Sequence, residues 1–68
     1  MPKEISLTHR ELQILDLIAD GLSNKEIADK LYLSKHTIKA HLEHLFQKFD
    51  IHNRVQLAVK WVQFRINA

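Results

Sequence analysis

The apolar positions of this chain recur at helical spacing from one end to the other. Leu12, Leu15, Ile18 and Ala19, with Ile14 alongside, make a first stripe; Ile27, Ala28 and Leu31 make a second; Ile38, Leu42, Leu45, Phe46 and Phe49 make a third. A fourth segment carries two stripes, with Val55, Ala58, Val59, Val62 and Ile66 on one face and Leu57, Trp61 and Phe64 on another. Strand-like alternation, repeats and low-complexity stretches are absent. The pattern predicts an all-α, compact four-helix domain.

Each predicted boundary has a chemical mark. Thr8 with Glu11 three residues on reads as a capping box, opening a helix that runs through about Asp20. Gly21, the only glycine, stands where a left-handed residue ends such a helix. Ser23 with Glu26 is a second box, predicting a helix over residues 24–31, and Ser34 can cap another over 35–49. Asn53 with Gln56 marks the start of the fourth, which runs to about Ile66. Tyr32 stands near where many helix-turn-helix sequences place a turn glycine, so the turn is expected to avoid a left-handed residue there. Three short helices leave little to cover both faces of the fourth. Its Val55 stripe is expected in the core and Leu57, Trp61 and Phe64 on an exposed patch. The alternative is that Trp61 or Phe64 wraps onto helix 1.

Residues 23–45 read as two short amphipathic helices joined by a tight turn, a helix-turn-helix layout. The small Ala28 lets the second helix of the pair cross closely. The outer face of that second helix holds Lys35, His36, Lys39, Ala40, Glu43 and Gln47. One buried face opposite one small, polar and basic face suits entry into a major groove.

Length and composition narrow the alternatives. Sixty-eight residues make one small domain, residues 1–68, near the lower limit for a self-sufficient core. Without cysteine there is no disulfide framework and no zinc–thiolate site. Hydrophobic residues are 46% of the chain, too many for a disordered tail. No apolar run approaches the ~18 residues of a membrane span, so no membrane partner is expected. No signal-peptide pattern opens the sequence, and a reducing cytoplasm fits. Net charge is only +2, but residues 1–20 are acid-rich, whereas the basic residues Lys25, Lys30, Lys35, Lys39, Lys48, Arg54, Lys60 and Arg65 follow Gly21. That asymmetry suits a protein presenting one side to a polyanion.

The segments Thr8-His9-Arg10-Glu11, Gly21-Leu22-Ser23-Asn24-Lys25-Glu26-Ile27-Ala28, Leu33-Ser34, Thr37-Ile38-Lys39-Ala40-His41 and Asn53-Arg54 follow one another at the spacings of a known family. The chain resembles the C-terminal DNA-binding domain of LuxR/FixJ-type bacterial transcription regulators, the effector module of NarL-like response regulators. The match runs without gaps from residue 7 to about 66. It implies residues 24–31 as scaffold helix and 35–49 as recognition helix, with dimeric binding to paired half-sites on double-stranded DNA. It also implies a fourth helix that contributes to a homodimer. That dimer is expected to be weak in solution and firmer on DNA, because two half-sites on one duplex raise the effective concentration of the second copy. RNA polymerase and an N-terminal receiver domain are further partners it implies. Residues 1–6 are expected to be an N-terminal arm, either an added start or the native start of a stand-alone regulator.

On this reading Lys39 donates to guanine O6 and N7, Ala40 contacts a thymine methyl, and His36 and Glu43 flank the same base-reading face. Glu43 either accepts a cytosine amino proton or sits just outside the contact surface. Ser34, Lys35 and Thr37 at the recognition-helix start, and Ser23, Asn24 and Lys25 at the scaffold-helix start, are candidates for backbone phosphates. Arg54 is a further phosphate candidate by resemblance, or it pairs with Asp50. Leu57, Trp61 and Phe64 are the dimerisation candidates. His41 is either a packed histidine or a base contact. His41 and His44 lie three apart, but no third ligand accompanies them and no metal is expected. No catalytic constellation or phosphate loop is present, so neither enzymatic activity nor a cofactor is expected. The competing function is a protein-interaction module that keeps the fold without binding DNA.

Overall fold

Four capped helices account for most of residues 5–67, the part of the chain that the computed structural model describes. They are α1 (His9–Ala19), α2 (Asn24–Leu31), α3 (Lys35–Phe49) and α4 (Arg54–Ile66), with no strand among the described residues. Every start is made by the predicted cap. The Thr8 hydroxyl accepts from the Glu11 N–H at 3.1 Å and the Thr8 N–H donates back to Glu11 Oε1 at 2.8 Å. Ser23 and Glu26 make the same exchange at 3.2 and 2.8 Å. Ser34 Oγ takes the Thr37 N–H at 3.0 Å, and Asn53 Oδ1 takes the Gln56 N–H at 2.8 Å.

Three helices end alike. Gly21, at φ +90°, lets its N–H reach the Ile18 carbonyl and the Leu22 N–H reach the Leu17 carbonyl, a Schellman closure. The six-residue bond recurs from Leu33 N–H to Ala28 O at 2.9 Å and from Ile51 N–H to Phe46 O at 3.0 Å. Tyr32 (φ 59°, ψ 42°) and Asp50 (φ 54°, ψ 52°) are accordingly left-handed. The expectation that the helix-turn-helix avoids such a residue at Tyr32 is therefore corrected. Between α2 and α3 the chain must close the Ala28 carbonyl, turn Leu33 against the core and still present Ser34 as a cap. A residue with a Cβ meets that demand at a cost of roughly 1–2 kcal/mol, offset by the burial and the cap it makes possible.

The core is assembled from Ile14, Leu15 and Ile18 of α1, Ile27 and Ala28 of α2, Ile38, Leu42, Leu45 and Phe49 of α3, and Leu57 and Trp61 of α4. Two stripes are rotated from their expected orientation. On α1, Leu12 stays at the surface and Glu11 takes the inner position. The Lys48 ammonium explains this by reaching from α3 to Glu11 Oε1 at 2.7 Å.

On α4 the two apolar faces are largely exchanged, although Ala58 of the expected core stripe still packs against the core and Phe64 of the other stays exposed. Leu57 and Trp61 are 0% and 5% exposed, whereas Val55 and Ile66 stand 73% and 75% exposed with Val59 also at the surface. Leu57 and Trp61 are thus core residues and not an open dimer patch. Phe64, at the rim, stacks on Trp61 with centroids 5.6 Å apart and meets Phe49 edge-on at 6.1 Å. Periodicity alone offered both faces. The larger side chains removed more surface from water, and the indole N–H found an acceptor in Asp16 Oδ1 of α1 at 2.9 Å. Arg65 donates to that same oxygen at 2.8 Å. Trp61 wrapping onto helix 1 is the arrangement present.

Candidate nucleic-acid interface

The α2–α3 pair is held so that one face of α3 is left to solvent. Ile38, Leu42, Leu45 and Phe49 point inward, and the helical repeat then turns His36, Lys39, Ala40, Glu43 and Gln47 outward, all exposed. Lys35 is exposed at the first helical position. Among the described residues none of Lys35, Lys39 and Glu43 is in an ion pair, so both cations and the carboxylate are open to a partner. The four sequence-predicted base-reading residues therefore share one surface.

The helix starts supply the groups suited to anions. Ser34 Oγ both caps α3 and lies 2.9 Å from the Thr37 hydroxyl, placing two hydroxyls beside the N-terminal N–H groups. A side-chain cap satisfies only some of the orphan donors of a first turn, and those remaining can meet a phosphate oxygen. Ser23 and Lys25 are exposed at the start of α2. There the Ser23 N–H and hydroxyl hold the Glu26 carboxyl below its ordinary range.

Two candidates are engaged elsewhere. The Arg54 guanidinium is half-buried and donates to Asn24 Oδ1 at 2.6 Å and to the Leu22 carbonyl. It does not pair with Asp50, and it bolts the start of α4 to the turn that introduces α2. Asn24, whose side-chain oxygen is the acceptor, is half-buried and belongs to the same bolt. Both stand behind the helix starts as supports, while Lys25 beside them is open.

Sequence reasoning did not find the link between α1 and α3. Lys48 Nζ donates to the Ser6 carbonyl at 2.8 Å as well as to Glu11. Burial pushes the Glu11 carboxyl up, but the Lys48 hydrogen bond, the Thr8 N–H and the Lys48 charge together bring it below its ordinary value. Its capping box did single out Glu11. Nothing local indicated that a lysine 37 residues away would share it. Beside this pair lies an open hollow of about 780 Å³, bordered on α3 by His41, His44 and Gln47.

Comparison with known proteins follows the same outline. Residues 5–61 match the family described as "Bacterial regulatory proteins, luxR family". The chain is 48% identical over 59 residues to the transcriptional regulatory protein LiaR of Bacillus subtilis, covering 87% of this chain and 28% of that protein. Among solved structures it is similar to the response regulator ChrA of a heme-sensing two-component system, with a TM-score of 0.85 and 37% identity, over 96% of this chain and 32% of that one. It is also similar to one chain of a crystal structure of a complex between the anti-activator RapF and the response regulator ComA DNA-binding domain. There the TM-score is 0.77 and the identity 39%, over 79% of this chain and 93% of that one. The chain spans about a quarter of the length of the curated relatives it matches, 26% and 28% of the first two.

Proposed function

The chain belongs to the luxR family of bacterial regulatory proteins, and from that membership we propose that it is the sequence-specific DNA-binding domain of a bacterial transcription regulator, residues 1–68 forming one such domain. The observation that carries the proposal is the exposed α3 face, where Lys39, Ala40, His36 and Glu43 lie together above capped helix starts. An α-helix of this kind fits the major groove, and an ammonium at Lys39 can address guanine O6 and N7. Ser34, Lys35, Thr37, Ser23 and Lys25 then grip phosphates along the groove walls and fix the helix in register. Glu43 repels phosphate and so favours a position over a base edge, where it can accept from a cytosine amino group.

The relatives named as response regulators support a control domain N-terminal to this one, and a cytoplasmic site of action, in the full-length protein. For pairing of two copies, the exposed α4 stripe of Val55, Val59 and Ile66 replaces the Leu57–Trp61 face as the contact surface. An apolar strip without a cover favours a second copy once both are held on one duplex, because paired half-sites raise the effective concentration. Contact with RNA polymerase would follow from bound DNA.

Selection of bound sites from a random DNA pool tests the reading directly. Enrichment of paired half-sites about 10 base pairs apart, one helical turn, is the expected result. A domain that stays folded, enriches no sequence and has no salt-dependent affinity for duplex DNA would instead be the interaction module.

A further inference from the structure

The flank of α3 that faces the start of α1 carries a polar surface separate from the base-reading face. Successive helical residues turn by about 100°, so His44 borders the Lys39–Glu43 face and His41 lies further round, half-buried. Together with Gln47 they edge the hollow whose other side is formed by Ser6, Thr8 and Glu11. Lys48 Nζ contributes two donors to this framework, to Ser6 O and Glu11 Oε1. An ammonium has three, and one remains.

The charges around the two imidazoles are nearly balanced. From α1 the titratable group in the hollow is Glu11, whose Oε1 accepts from both Lys48 and the Thr8 N–H. His9 and Arg10 lie on the adjoining first turn of α1. From α3, Lys48 is neutralised by Glu11, while Glu43 lies on the outer face beyond His44. No residue of α2 or α4 lines the hollow. Among the described residues neither His41 nor His44 is in an ion pair with a carboxylate. A metal ion would find two imidazoles and no third ligand, since no group of three His, Cys, Asp or Glu gathers among the described residues.

We propose that this hollow seats a backbone phosphate of the DNA strand forming one wall of the groove that α3 enters, with His41 and His44 as its donors. The inference rests on the DNA-binding reading above. A neutral imidazole offers one N–H and a protonated one offers two together with a positive charge. Histidine is the side chain that changes charge across mildly acidic to neutral pH, while a phosphodiester does not. DNA binding should then take up protons, and the grip should tighten as pH falls.

The test measures affinity of the 68-residue chain for a duplex of about 20 base pairs, of random and of selected sequence, across a salt series near pH 6 and near pH 8. Each protonated histidine in contact should steepen the slope of log affinity against log salt by about 0.9 near pH 6. His44→Gln should remove part of the difference between the two pH values, and His41→Gln with His44→Gln should remove most of it, the remainder falling to His36 on the base-reading face. Calorimetry in two buffers of different ionisation enthalpy should register more proton uptake by the parent than by the double variant. His41 is half-buried, so if the double variant unfolds, the exposed His44→Gln decides alone. DNA binding with equal slopes at both pH values, or a pH dependence undiminished in the variants, would overturn the seat and leave DNA binding standing. Absence of salt-dependent binding at either pH would overturn the DNA-binding reading itself.

Discussion

Exchanging Leu57 for Ala and, separately, Val59 for Ser distinguishes the two apolar faces of α4. Leu57 is fully buried among α1 and α3 side chains, and truncating such a leucine costs about 2–5 kcal/mol through lost burial and the cavity left behind. At ~0.05–0.15 kcal/mol per residue, a chain of this length has roughly 3–10 kcal/mol in total. Leu57→Ala therefore removes about a fifth or more of the stability. Val59 is half exposed, and a polar replacement there belongs with surface changes of about ±0.5 kcal/mol. Urea unfolding followed by Trp61, the only tryptophan, and by far-ultraviolet dichroism reads both. With a small-domain slope near 1 kcal/mol/M, the Leu57→Ala midpoint should fall by roughly 2 M or more, and that of Val59→Ser by less than about 0.5 M. On DNA the ranking should invert: Val59→Ser should lower cooperative occupancy of a paired site while binding a single half-site like the parent. Equal midpoint losses, or a Leu57→Ala midpoint matching the parent, would mean that α4 docks by its other face.

Lys39→Ala should weaken binding to a selected site by about 1–3 kcal/mol, more than on scrambled DNA; equal losses in competition assays would make Lys39 a phosphate contact. Lys25→Ala should make the salt slope shallower by about 0.9, whereas Arg54→Ala should chiefly lower thermal stability, by about 1–3 kcal/mol, because the Leu22 carbonyl and Asn24 Oδ1 lose their donor. Nothing lies within 4 Å of a Cβ placed on Gly21, so Gly21→Ala should cost roughly 1 kcal/mol through its positive φ alone. Tyr32→Gly should gain stability from the same cause, and a loss in thermal unfolding would point to contacts of the tyrosine instead. The Glu11 carboxyl lies below its ordinary value, so its stabilisation is present above about pH 4.3, the unfolded value, and lost as pH falls through the lower folded value. Glu11→Gln should flatten the acid limb of the melting-temperature profile, and an identical limb in the two proteins would assign it to other carboxylates.

The helix boundaries were legible because their determinants are local. A cap and the residue it satisfies lie three apart, as at Thr8–Glu11, Ser23–Glu26 and Asn53–Gln56, and a left-handed end announces itself when it is Gly21. The outward face of α3 was legible for a related reason: fixing Ile38, Leu42, Leu45 and Phe49 inward fixes Lys39 and Glu43 outward. Illegible features depend on partners distant in sequence. Both stripes of α4 satisfied the periodicity, and only the Asp16 acceptor and the α1 surface select the Trp61 face. Arg54 carries the charge of a phosphate ligand, yet a carbonyl and an amide some thirty residues earlier claim it. At Tyr32 the expectation followed side-chain cost, whereas the conformation follows the need to close the Ala28 carbonyl and bury Leu33 within a three-residue link.

Those long-range contacts bear on how pairing and recognition act together. Arg54 bolts the first turn of α4 to the residues that start α2, and Trp61 and Arg65 bolt its later turns to Asp16 in α1. Lys48 ties α3 to α1 from the other side. The stripe at Val55, Val59 and Ile66 is therefore mounted on the same frame as the reading face of Lys39 and Glu43, with no flexible linker between them. Two copies joined through that stripe would hold their recognition helices at a separation set by the fold. Spacing of half-sites then becomes a geometric property of the dimer, read as strictly as any base. On that arrangement the Arg54 bolt would matter to DNA binding, although its guanidinium is turned inward.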